Sequence, residues 1–136
     1  MADFSTEFAK RTIDQEARGE GAPGLDAVAH VTLNRLSLGK WGKTLASVCD
    51  AWKQFSGWNP GDPNRQRSLE LPDNDHGLLL AEAALNQARD EQEQGIDPTE
   101  GATHYYADTM ASPFWAVPPA VQTAHIGHHV FWKGVP

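Results

Sequence analysis

Cysteine is almost absent. Cys49 is the single thiol in 136 residues, which excludes an internal disulfide framework and a metal site built from cysteines. Its place in an apolar helical pattern reads as a small core residue rather than an exposed nucleophile. Runs of lysine and arginine are also missing, and the formal net charge is −7. A phosphate backbone would be repelled by such a surface, so no nucleic-acid partner is expected. The longest apolar run falls far short of a bilayer span, and no membrane partner is expected. The opening residues, Met-Ala-Asp-Phe-Ser-Thr-Glu-Phe, have neither the basic nor the apolar segment of a secretory signal, which reads as a product made in the cytoplasm. No P-loop, dinucleotide fingerprint, Gly-x-Ser-x-Gly elbow or His-Glu-x-x-His motif is found, and no cofactor is expected.

What is present is an ordinary globular composition, 40% hydrophobic and 21% charged, enough to bury one core over residues 1–136 as a single domain. Ser5 reads as a helix cap, with Phe8, Ala9 and Ile13 at helical spacing, for a first helix over about residues 6–18. Gly21-Ala22-Pro23-Gly24 reads as a turn. Leu25, Val28, Ala29, Leu33 and Leu36 then form a second helical stripe, with His30 and Asn34 just off it, either facing the first helix or lying at the stripe's boundary. Leu45, Val48, Cys49 and Trp52 suggest a third helix. Residues 54–75 read as a long loop, a length that in a compact domain usually serves function. Asn74 or Asp75 caps a further helix whose Leu78-Leu79-Leu80 section reads as buried. Two short strands are expected at 102–107 and 126–132, pairing as an antiparallel ribbon. Helices first and a small sheet last is the α+β pattern.

The stretch Asp14-Gln15-Glu16-Ala17-Arg18-Gly19-Glu20-Gly21 sets two carboxylates and an arginine where a helix meets glycine. A carboxylate in a helix's last turn faces the negative end of the macrodipole, which disfavours its ionised form. By itself the stretch reads either as a surface ion-pair cluster or as a site for a proton-donating acid. Aromatic residues concentrate elsewhere in loops and strand ends, and rings beside polar groups suit the apolar faces and hydroxyls of sugars. Trp58 and Trp115, flanked by Pro, Gly or Ser, read as site residues; Trp41, Trp52 and Trp132 read as core anchors. Adjacent His128 and His129 would point to opposite faces of a strand and cannot share one ion. His104 joined to one of them lacks any recognised ligand spacing, so no metal site is expected.

Six segments in order, DQEARGEG at 14–21, LDAVAHVTLNRL at 25–36, SVCDAWKQFSGWN at 47–59, DPTEGATHYY at 97–106, SPFWA at 112–116 and IGHHVFW at 126–132, resemble the cell wall hydrolase family that includes the spore-cortex-lytic enzymes of germinating bacilli. The resemblance implies a compact α+β domain, similar to lysozyme-like and resuscitation-promoting-factor domains, cleaving the glycan strands of peptidoglycan as a lytic transglycosylase or muramidase. It implies Glu16 as the catalytic acid, which needs a raised pKa from burial. Glu20 is its supporting neighbour, orienting Arg18 or capping local backbone. Arg18, Ser56, Trp58, Asn59, Thr103, His104, Tyr105 and Trp115 are the residues expected to hold the glycan. Residues 60–76 depart from the family pattern as a charged, Pro-rich insertion. A small wall enzyme without a signal resembles a phage or prophage endolysin, expected to act as a monomer at the cell wall after release by a holin-like protein. Two alternatives are a metal-requiring N-acetylmuramoyl-L-alanine amidase and a non-catalytic peptidoglycan-binding phage component.

Overall fold

The computed structural model describes residues 4–50 and 61–136. Within them the chain runs through α1 (Phe4–Ala17), α2 (Gly21–Leu38), α3 (Leu45–Asp50), α4 (Pro63–Glu70), α5 (His76–Glu93), β1 (His104–Ala107), β2 (Val121–Ile126) and β3 (His129–Lys133). The helical stripes read from the sequence become the core. Ala9, Ile13 and Ala17, four apart on α1, are buried against Leu25, Val28 and Ala29 of α2 and Ala81 and Leu85 of α5. Most of α2 is sealed from Leu25 to Leu33, because α1, α3 and α5 all pack on it.

The sheet has the order β1-β3-β2. β1 and β3 pair antiparallel as expected, with His104 opposite Trp132 and Tyr105 opposite Phe131. Alternation sorts these residues by face. Tyr105 and Phe131 pack towards the helices, Phe131 with Ala27, Val31 and Ala102. His104, Tyr106 and Trp132 project from the other side, under the loop that carries Trp115.

Several expectations are corrected. Residues 21–24 form the first turn of α2 rather than a free turn; a proline is tolerated there because first-turn amides have no helical acceptor. The loop expected over 54–75 is interrupted, since Pro63–Glu70 is helical. Asp62 caps that helix by accepting from the Asn64 amide at 2.8 Å, and Pro63 occupies a preferred first position. Asp75 caps α5 through the Leu78 amide, but of the three leucines only Leu78 is buried, Leu79 and Leu80 being about half exposed. Residues 126–132 are not one strand either. Gly127 takes φ +58 in a turn that divides β2 from β3, so the sheet has a third strand. His30 and Asn34 face α5 and the 97–102 turn instead of α1. Trp41 and Trp132 are half-buried outside the two apolar clusters, while Trp52 lies outside the described residues.

Candidate active site

Glu16 sits on the last turn of α1 and is half-buried. The Tyr105 hydroxyl, from β1, donates a short hydrogen bond to Glu16 Oε1. Burial raises the Glu16 pKa above the ordinary 4.5, and the charge of Asp62 adds to the rise. The Tyr105 hydrogen bond and the Arg35 guanidinium pull the other way without cancelling it. The result is a carboxylic acid that keeps its proton further into the neutral range than a solvated glutamate does. Burial and the adjoining Glu16 push the Tyr105 hydroxyl well above its ordinary value, so it stays a donor.

Arg35, which the sequence reading did not single out, is the buried cation of the site. Its Nε donates to the Thr103 carbonyl at 2.6 Å, and its guanidinium lies 5.1 Å from the centre of the Trp41 ring. A cation over an indole contributes about 0.5–2 kcal/mol. The signal for Arg35 was available: it is the one basic charge in a largely apolar helix, four residues after Val31. Asp62 had no comparable signal, since its closeness to Glu16 comes from the path of α4.

Two of the aromatic residues expected to hold glycan, His104 and Trp115, meet on the outer face of the sheet beside Trp41 and Trp132. The His104 ring lies 5.1 Å from Trp115 and 5.8 Å from Trp41, and Trp115 lies 6.3 Å from Trp132. Burial first, then Arg35 and Lys40, push His104 down to about 4. It is therefore a neutral ring at working pH, its Nδ1 2.9 Å from the Thr103 hydroxyl. Thr103 itself is buried and bonds the Trp132 carbonyl through its amide. The structure thus brings Tyr105 to Glu16, and His104, Thr103 and Trp115 to one another. Arg35 joins the groups through Thr103 and Trp41.

Two other residues go elsewhere. Arg18 pairs with Asp14 at 2.9 Å and Asp75 at 2.6 Å, tying the end of α1 to the start of α5. Gly77 permits that approach, because a Cβ there would lie 2.7 Å from the guanidinium carbon. Glu20 accepts from the His128 backbone amide at 3.1 Å and lies 3.5 Å from His129 Nδ1. It thus caps backbone of the β2–β3 turn, while Arg18 pairs with Asp14 and Asp75. Ser56, Trp58 and Asn59 lie outside the described residues.

The histidines weighed for metal in the sequence do not converge. His129 faces Glu20, while His125 and His128 face Asp108 at 2.9 and 3.9 Å. A different histidine, His30, stands among carboxylates remote in sequence.

A conservative change isolates the role of Tyr105. Tyr105→Phe removes the donor that favours ionised Glu16, so the Glu16 pKa climbs further and the alkaline limb of the activity profile moves to higher pH. The rate at neutral pH changes by no more than about tenfold, the worth of one hydrogen bond. Initial rates of sacculus clearing across pH test this; an unmoved limb would sever Tyr105 from the chemistry.

Residues 19–132 match the sequence profile of the family described as Cell Wall Hydrolase. The fold is similar to the catalytic domain of the Bacillus cereus SleB protein, with a TM-score of 0.74 and 26% identity over 95% of this chain and 89% of that one. It is equally similar to the catalytic domain of the germination-specific lytic transglycosylase SleB from Bacillus anthracis, at TM-score 0.74 and 26% identity over 98% and 97% of the two chains. No curated protein sequence matches the chain. With its helices followed by a small antiparallel sheet in the lysozyme-like manner, the chain belongs to the cell wall hydrolase family.

Proposed function

We propose that the protein cleaves the glycan strands of peptidoglycan by lytic transglycosylation, with Glu16 as the single acid and base. The observation that carries this reading is the half-buried Glu16 carboxyl, hydrogen-bonded by Tyr105 and with its pKa raised by burial. In the first step Glu16 gives its proton to the glycosidic oxygen as that bond breaks. The carboxylate left behind then takes the proton of the muramoyl C6 hydroxyl, whose oxygen closes on the anomeric carbon. The ring closure needs no second carboxylate. That suits Glu20, whose Oε1 is engaged by the His128 amide in the β2–β3 turn. The His104, Trp41 and Trp115 rings offer apolar faces for sugars beside the Thr103 hydroxyl. The relative from Bacillus anthracis, described as a lytic transglycosylase, lends the same direction.

Mass spectrometry of muropeptides freed from purified sacculi distinguishes the chemistries. Transglycosylation gives 1,6-anhydro ends, lighter by one water than the reducing ends a muramidase leaves. Reducing ends as the sole product would replace this proposal with hydrolysis assisted by a second carboxylate, for which Asp62, whose charge bears on Glu16, is the candidate. Freed stem peptides would indicate an amidase.

A further inference from the structure

Where α2 meets the end of α5, a buried imidazole stands among carboxylates that the glycan chemistry does not use. His30 is 1% exposed. Its Nε2 lies 3.1 Å from Glu91 Oε1 and 3.8 Å from Asp26 Oδ1. Its other nitrogen, Nδ1, faces Asp97 Oδ1 at 3.6 Å. Asp97 is itself fixed: it accepts from the Thr99 amide and hydroxyl at 2.8 and 2.7 Å, and from Asn34 and the Gly101 amide at 2.9 and 3.0 Å. Asp26 is not. Its side chain is 8% exposed, and Oδ1 has no hydrogen-bond partner among the described residues, although an unsatisfied buried carboxylate oxygen is costly.

One donor atom each from Asp26, His30 and Glu91 lie within 4.8 Å of one another. Donors about 2.0–2.2 Å from a tetrahedral ion are separated by roughly 3.3–3.6 Å, and the two distances from Nε2 bracket that span. Asp97 occupies the place of the outer carboxylate that commonly orients a metal-bound histidine through its second nitrogen. An open groove of about 470 Å³, lined in part by His30, Asn34, Asp97 and Gly101, leads to the cluster from solvent.

We propose that Asp26, His30 and Glu91 bind one divalent transition-metal ion, with Zn²⁺ the best fit to an imidazole and two carboxylates. Asp26 Oδ1 gains the partner it lacks, and water from the groove completes the coordination. The ion ties α2 to the last turn of α5, next to the 97–103 segment that leads into β1. The site shares no residue with the Glu16 group.

Isothermal titration of the metal-free protein with Zn²⁺ tests the assignment, alongside the visible spectrum with Co²⁺. One ion per chain is expected, with a Co²⁺ spectrum showing a tetrahedral site with nitrogen ligation and a melting temperature that rises with Zn²⁺. Asp26→Asn and Glu91→Gln keep shape and should each weaken binding at least about tenfold, with far-UV circular dichroism checking that both fold. His125→Ala, which removes the exposed His125–Asp108 pair, should leave the titration unchanged. Absence of binding overturns the proposal, and so does binding that survives Glu91→Gln but is lost in His125→Ala.

Discussion

Glu16→Gln is expected to lower the release of muropeptides from purified sacculi by about 10²–10⁴-fold, the usual worth of a positioned general acid. The substitution preserves shape and can still accept from the Tyr105 hydroxyl, so binding of sacculi should persist while cleavage stops. Stability should move the opposite way. Burial holds the Glu16 pKa above its ordinary value of 4.5, so the folded chain binds that proton more tightly than the unfolded chain does. Folding is therefore favoured at low pH and weakened as pH rises from the unfolded value through the folded one. Glutamine never ionises and escapes that loss. In mildly alkaline buffer Glu16→Gln should unfold at a higher urea concentration than wild type, and the gap should close as pH falls towards 4.5. Loss of activity with gain of stability is the pattern of a site held at the expense of the fold. Near wild-type clearing by Glu16→Gln would remove the residue from the mechanism.

The second large effect concerns Phe131, which is fully buried and sits in the strand shared by both ladders, opposite Tyr105 and Ala124. Its ring lies 5.5 Å from Tyr105 and 6.2 Å from His129. Phe131→Ala leaves a void between sheet and helices and should destabilise the protein by about 3–5 kcal/mol. For a domain of this size that lowers the melting temperature by roughly 10–20 °C. Calorimetry measures it directly. A drop of only a few degrees would mean that the sheet is not anchored through this ring. Phe131→Leu, which fills most of the space, should recover the greater part of the loss.

The helices that build the core were legible because burial leaves a stripe. Ile13, Val28 and Leu85 recur with apolar neighbours at helical spacing, and α1, α2 and α5 follow. Helix α4 left no stripe: only Ser68 of its eight residues is buried, and its one sign was the Asp62-Pro63 start. Strand β2 was missed because Val-Gln-Thr-Ala-His-Ile mixes exposed and half-buried positions directly after two prolines. The turn at Gly127 was read through, since His129 to Trp132 are such strong strand formers. At the site, Glu16 stood out through its motif. Its bond to Tyr105 spans 89 positions, and local spacing carries no information about such a pair. Arg18 was assigned to the glycan because it lies beside Glu16 in sequence. On a helix, however, residues two apart point away from each other, and Arg18 turns to Asp14 and Asp75.

The hydrogen bond between Glu20 and the His128 amide closes a loop of 108 positions, and together with the Tyr105–Glu16 bond it sets the order of assembly. The acid lies near one end of the chain, and the strands that polarise and brace it lie near the other. Closure over such separations comes late in folding, after local helices have formed. A nascent chain still lacking β3 leaves β1 without its ladder and Tyr105 without its seat. Glu16 then lacks the burial that raises its pKa. On the proposed mechanism, catalytic competence waits on the pairing of β1 with β3.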